Sequence, residues 1–326
     1  MNSLGKRFTF TSFGESHGLA IGGVLDGVPA GISIDFSMIS QALLERRGGC
    51  FTSTHGVSPR ALQEPDEIEW LSGVLDGKTL GTPIAFIIRN KHAQSADYDY
   101  LKHTYRPGHA DFTYQAKYGI RDWRGGGRAS ARETAARVVA GTIALQLLHD
   151  QGITIRTQLT QIGHETNPDK FEELLARTKA NGESIGGIIA CNIEGLPIGV
   201  GEPIFDKLQS HLAFAIMSIN ACKGFDYGTG FDQVHLLGSE SNQISGGISG
   251  GISDGSPIHF RCVFKPTPSI SKAQSCLNED GTPNTIQIKG RHDTCVAIRA
   301  LPVVRAMTAL VLMDMHEQGL WETNKD

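Results

Sequence analysis

The amino-acid sequence predicts an α+β chain folded as a single domain over residues 1–326, on three observations. Apolar residues recur at helical spacing in several separated stretches. Short β-like segments bounded by glycine lie between them. No Pro/Ser-rich linker or charge block divides the 326 residues. Helices separated by meandering strands argue against regular βαβ winding. At 40% hydrophobic content the chain can bury a substantial core.

Taken in order, "SMISQALLERRGG" (37–49) reads as a helix capped by Ser37, with Ile39, Leu43 and Leu44 on one face. A second helix opens at Ser130, where Glu133 three residues on completes the letters of a capping box. It carries Val139, Ile143 and Leu147 at strict i, i+4 spacing towards Gly152. "DKFEELLARTKANG" is a shorter amphipathic piece ending in an Asn-Gly stop. A third helix runs from about Ile204 to Ala221 on Leu208, Leu212, Ile216 and Ile219. A fourth runs from about Pro302 to Gln318 on Val303, Met307, Leu310, Val311 and Met313. Strands are expected in "LAIGGVLDGVPAGISIDF", "SGVLDGKTLGTPIAFII", "GGIIACNIEGLPIGVGEP" and "GGISDGSPIHFRCVF". The second and fourth share an apolar start, Asp-Gly, Pro and alternation, which reads as a weak internal repeat or as common hairpin chemistry.

Composition narrows the function. A net charge of −4 with 20% charged residues argues against a broad nucleic-acid surface. The six cysteines are scattered without a C-x-x-C pair, so reduced thiols and a cytoplasmic protein are expected. The N-terminus lacks a signal-peptide apolar core, and no apolar run approaches the ~18 residues of a membrane span. No histidine or cysteine spacing suits a metal.

Three stretches carry chemistry. In "FGESHG" (13–18), His17 sits between glycines that admit close backbone approach, and an imidazole suits proton delivery to a leaving group. A surface-turn histidine is the plain alternative. The letters also fit a nucleophile elbow, but no strong strand pattern leads into them. In "YRPGHADFTY" (105–114), Pro107 and Gly108 hold His109 on a rigid turn between Arg106 and Asp111. A structural histidine bonded to that carboxylate is the alternative there. In "RDWRGGGRASARETAAR" (121–137), Arg121, Arg124, Arg128, Arg132 and Arg137 surround a triple glycine that precedes a helix start. Guanidinium forks, helix N–H groups and glycine backbone together suit a phosphate or carboxylate, although neither a Walker A motif nor a G-x-G-x-x-G fingerprint is present. An anionic small molecule with proton-transfer groups beside it is the common reading.

These stretches, with M-S-I-N-A (217–221), G-G-I-S-G-G-I-S (246–253), K-P-T (265–267) and G-R-H-D (290–293), resemble the chorismate synthase family in type and order over nearly the whole chain. The resemblance implies a β-α-β sandwich with helices between antiparallel sheets. It implies a lyase that converts 5-enolpyruvylshikimate 3-phosphate to chorismate and phosphate by anti-1,4-elimination in aromatic amino acid biosynthesis. It further implies dependence on reduced FMN and a homotetramer. With no nicotinamide fingerprint in the sequence, an external flavin reductase is expected to supply the reduced cofactor.

By the same resemblance His17 is the acid for the departing phosphate, His109 donates a proton to the reduced flavin, and Asp293 works with flavin N5 to take the substrate C6 proton. Flavin contacts fall on Arg128, Ala129, Ser130, Asn220, Ala221, Gly250, Lys265, Pro266, Thr267, Pro268, Ser269 and Arg291. Substrate anions fall to Arg46, Arg106 and Arg132. The chain departs from the family where R-R-R-P-G becomes "ERRGG" (45–49), where Arg60 is the sole arginine of an altered loop, at Gln243-Ile244, and where Arg305 replaces a common glutamate. A diverged, non-catalytic flavin- or anion-binding paralogue is the alternative, and a histidine-dependent phosphatase a further one.

Overall fold

The structure, a computed structural model, describes residues 1–49, 55–57, 65–91, 95–288 and 292–317. Arg291, Arg60, Cys50 and the expected helix end at Gln318 lie outside the described residues.

Two antiparallel sheets enclose the main helices. The first has the order β1 (Ser3–Leu4), β2 (Thr9–Phe13), β3 (Ala20–Asp26), β7 (Ile84–Arg89), β4 (Ile68–Ser72), and a small hairpin of β5 (Val74–Leu75) and β6 (Lys78–Thr79) precedes β7. The second has the order β11 (Cys222–Tyr227), β14 (Ile258–Phe264), β10 (Gly187–Glu194), β9 (Thr154–Ile162). β14 alternates strictly buried and exposed along its seven residues, which fixes its register with one face on the core. Between the sheets run α3 (Thr134–Asp150) and α6 (Ala297–Glu317), flanked by α1 (Phe36–Arg46) and α5 (Leu208–Met217), with α2 (Asp111–Tyr118) and α4 (Phe171–Ala180) outside. The α+β class and the helix-filled sandwich hold.

The central helices are apolar nearly all round because both sheets cover them. Their backbones come close at Gly141, where an added Cβ would lie 2.4 Å from the Ala306 Cβ. Among the described residues no helix is long and apolar enough to cross a membrane, and the five described cysteines are free.

Several boundaries differ from expectation. Asp35, not Ser37, caps α1, accepting from Met38 N at 2.9 Å, and Leu44 is exposed. Ser130 caps a single 3₁₀ turn, Ala131–Glu133, and α3 starts only at Thr134. The capping box does not form there, because the Glu133 carboxylate turns to Arg137 at 2.9 Å. α5 spans only Leu208–Met217, shorter at both ends than expected, and Ala221 adopts a left-handed φ of 67° that excludes it from the helix. α6 begins at Ala297, which puts Pro302 inside it rather than at its first turn. The lost hydrogen bond is outweighed by a helix buried over almost its whole length.

The suspected repeat does not hold. Asp76-Gly77 turns the β5–β6 hairpin, whereas Asp254-Gly255 follows the hairpin of β12 (Ile248–Ser249) and β13 (Ile252–Ser253). A third sheet, β8 (Thr104–Tyr105) with β15 (Ala273–Asn278) and β16 (Pro283–Gln287), was not legible in the sequence.

Candidate active site

Hydrogen bonds between loops far apart in sequence assemble the site. β2 does lead into "GESHG", contrary to the sequence expectation, but a hairpin rather than a helix follows, so the segment is not a nucleophile elbow. Gly125, Gly126 and Gly127 all take positive φ (64°, 88°, 53°), which lets their backbone lie against that hairpin. A Cβ on Gly125 would fall 2.4 Å from the His17 ring, and one on Gly127 2.4 Å from Glu15 Oε2. Onward, Asn220 Nδ2 donates to Ala129 O at 2.8 Å. Lys265 N donates to Ala221 O at 3.0 Å, and Lys265 Nζ to Gly108 O at 2.7 Å. Five sequence motifs thereby close around one space.

That space is a cavity of about 620 Å³, within the range of small-molecule sites. Of the expected residues, Arg106, His109, Ala129, Ser130, Asn220, Ala221, Lys265, Thr267, Pro268, Ser269 and Asp293 line it. His17 lies one layer behind the wall, 8% exposed, against Gly125 and edge-to-face with Tyr98 at 5.0 Å between ring centroids. Both neighbours are lining residues.

The remaining expected residues are not lining residues, for physical reasons. Arg128 turns away, donating to Ser12 Oγ at 2.6 Å and to the Ser12 and Gly14 carbonyls. Pro266 packs over Gly186. Gly250 lies in the turn of the β12–β13 hairpin with open space around it. Arg46 and Arg132 share the buried carboxylate of Asp66, which is 4% exposed. Arg46 also donates to Thr134 Oγ1 and Ala131 O at 3.0 Å each, and Arg132 to Asn90 Oδ1 at 3.0 Å. Their forks are committed to the fold.

Within the cavity, Arg106 grips Asp111 through two parallel 2.8 Å bonds. Burial opposes ionisation of Asp111, but Arg106 outweighs it and holds the carboxyl below its usual range. His109 Nδ1 faces Pro107 O at 3.0 Å, so Nδ1 carries the hydrogen and Nε2 accepts from Ser269 Oγ at 3.2 Å. Burial first, then Arg106 and Lys265, push this imidazole down to about 4, so it is neutral at neutral pH. Burial and Lys223 also lower Lys265. Neither lysine has a carboxylate partner among the described residues, and both line the cavity.

Sequence reasoning assigned no role to Tyr98, Lys223 or His292, which line the cavity together with Arg121 of the arginine-rich stretch. His292 stands in the quoted G-R-H-D; its Nε2 is buried without a partner among the described residues, and burial lowers the ring's proton affinity. Lys223 lies two residues past M-S-I-N-A, so position alone could have suggested it. No cluster of metal ligands occurs among the described residues.

Two sequence departures meet in space. Glu45, where the family pattern has arginine, pairs with Arg305, where it commonly has glutamate.

Comparison with known proteins follows the same direction. The family model described as chorismate synthase matches residues 8–316. The chorismate synthase of Phocaeicola vulgatus is 45% identical over 353 aligned positions, covering 97% of this chain and 97% of that protein. That of Christiangramia forsetii is 46% identical over 353 positions, covering 98% of each. A crystal structure of chorismate synthase superposes with a TM-score of 0.72 at 29% identity, covering 96% of this chain and 92% of the other.

Proposed function

The chain belongs to the chorismate synthase family, and from that membership we propose that it converts 5-enolpyruvylshikimate 3-phosphate to chorismate and phosphate by an anti-1,4-elimination that requires reduced FMN. One observation carries the reading: His109, Asp293 and a set of cationic side chains, drawn from distant motifs, line one cavity with His17 one layer behind its wall.

The residues fit a flavin phosphate and an anionic substrate. Two lysines lack carboxylate partners, and Asn220 Oδ1, Thr267 Oγ1 and His292 Nε2 are buried without hydrogen-bond partners among the described residues. Ala129, Ser130, Asn220, Ala221, Lys265, Thr267, Pro268 and Ser269 would hold the cofactor; Arg106, with Arg121 and Lys223, would face anionic groups. Reduced FMN, when bound, lends electron density to the reacting system without net redox change. Loss of phosphate concentrates negative charge on the leaving group, and fixed cations in a closed pocket offset it. His17 is assigned the proton for the departing phosphate, its approach opened by the missing Cβ of Gly125. Asp293 is assigned the C6 proton. His109 can give a proton only after gaining one at Nε2, and a bound dianion beside it favours that gain.

The exposed apolar side chains of Ile198, Phe205, Phe231 and Val234 support the expected homotetramer. An external reductase remains part of the proposal. The test is anaerobic: protein, 5-enolpyruvylshikimate 3-phosphate and FMN, oxidised or chemically reduced, with chorismate and phosphate followed together. Equal formation of both only with reduced FMN is expected. Flavin binding without turnover would favour a non-catalytic paralogue, and phosphate release without flavin a phosphatase.

A further inference from the structure

Asp293 lies in the turn that leads into α6, and the structure fastens that turn on two sides. On the backbone side, Thr294 N and Cys295 N donate to Gly56 O at 3.1 and 3.2 Å, and Thr294 Oγ1 donates to His55 O at 2.7 Å. On the side-chain side, Arg299 Nη1 donates to Asp293 Oδ2 at 2.7 Å. The same guanidinium donates through Nε to the main-chain carbonyl of Arg46 at 3.1 Å. Both side chains of the pair are largely buried, at 17% and 11% exposure.

We propose that Arg299 is a positioning residue for the reaction: its fork, braced on the end of α1, fixes the plane of the Asp293 carboxylate at the cavity wall. The inference rests on the reading of Asp293 as proton acceptor. A carboxylate with one oxygen held by a rigid, doubly anchored guanidinium cannot spin about its last bond, and a base must meet the C–H bond in a narrow range of geometry.

Three described neighbours of Asp293, namely Arg46, His292 and Cys295, do not substitute for this. Arg46, whose field also reaches Asp293, directs its guanidinium to Asp66, Thr134 and the Ala131 carbonyl. His292 is biased towards its neutral form by burial, and burial pushes the Cys295 thiol up to about 11. Removing the Arg299 charge therefore makes protonation of the carboxylate easier, while a lysine there keeps the charge and loses the fork.

Arg299→Gln, Arg299→Lys and Asp293→Asn are to be compared with the full-length, FMN-loaded enzyme. The readouts are kcat, KM, the pH–rate profile, FMN affinity and thermal melting. In Arg299→Gln, kcat is expected to fall about 10- to 100-fold with little change in KM or FMN affinity, and the acid limb of the profile moves to higher pH. In Arg299→Lys the acid limb returns to its place, while kcat stays at least about fivefold low because the fork is gone. A folded Arg299→Gln enzyme with unchanged kcat and profile overturns the proposal. So does an equal loss in both variants with an unmoved acid limb, which marks a purely structural pair. If Arg299→Gln does not fold, Arg299→Lys decides, and a wild-type kcat there overturns positioning. Full turnover in Asp293→Asn sinks the assignment of the base itself, and the positioning role with it.

Discussion

Glu45 and Arg305 each depart from the family pattern, and because they pair with each other we predict that they are one interaction with its charges exchanged. The perturbation is to reverse each alone, Glu45→Arg and Arg305→Glu, and then both. Glu45→Arg places a third guanidinium beside Arg46 and Arg47 and opposite Arg305; Arg305→Glu sets two carboxylates face to face. At an effective dielectric near 20, unit charges at ~4 Å interact by about 4 kcal/mol. The side chains are 23% and 26% exposed, so solvent screening reduces this, and each single reversal should cost about 1–2 kcal/mol. The double reversal should recover most of that loss, giving a coupling of at least about 1 kcal/mol. Denaturant melts of the four proteins at low salt measure it, and 0.5 M salt should shrink it. Strictly additive single effects would refute the exchange and leave the two departures unrelated.

Three further outcomes follow from the same geometry. Asp66→Asn should cost about 3–5 kcal/mol in denaturant melts, because two buried guanidiniums lose their shared counter-charge. Gly125→Ala should lower kcat far more than FMN affinity, since the new methyl meets the His17 ring and φ is 64°; wild-type kcat in this variant would remove His17 from the reaction. For His109, the folded value near 4 lies below the unfolded value of about 6.5, so its contribution to stability is complete above pH 6.5 and is lost as pH falls towards 4. The span is worth about 3 kcal/mol; His109→Gln should flatten that limb of the stability–pH curve, and an unchanged slope would contradict the neutral imidazole.

The core of this fold was legible because its signal is periodic. Val139, Ile143 and Leu147, or Met307, Leu310 and Val311, announce helices whatever surrounds them, and all are buried. The ends were less legible because caps depend on backbone geometry. Ser130 looked like the start of α3, yet it caps a 3₁₀ turn and Glu133 prefers Arg137. Pro302 looked like a first-turn residue by the usual preference for proline there, but packing against both sheets carries the helix back through it to Ala297. The third sheet was hidden because "AQSCLN" and "PNTIQ" lack apolar alternation. At the site, the motifs gave the loops but not the use of each arginine. Arg46, Arg128 and Arg132 look like Arg106 in sequence; what separates them are Asp66, Ser12 and Asn90, partners 20 to 116 residues away.

That division of the arginines bears on the chemistry. Charge that the fold neutralises internally, as at Asp66, sets geometry without attracting a ligand. Charge left uncompensated does attract one, and among the described residues it is concentrated on Lys223 and Lys265, where burial and then the field of Lys223 lower the proton affinity of Lys265. The same lysine helps to keep His109 neutral. An anion bound there thus acts twice: it satisfies the lysines, and by offsetting their field it raises the proton affinity of His109 Nε2, which is otherwise left to accept from Ser269. Ligand arrival and protonation of His109 are then linked, so proton uptake on anion binding should peak between pH 5 and about 7, above the His109 value of the free protein. Calorimetry in buffers of differing ionisation enthalpy reads that uptake directly. Binding of FMN with no proton uptake in that range, in a protein that still binds through Lys223 and Lys265, would uncouple His109 from the anion and return it to a structural role between Pro107 and Ser269.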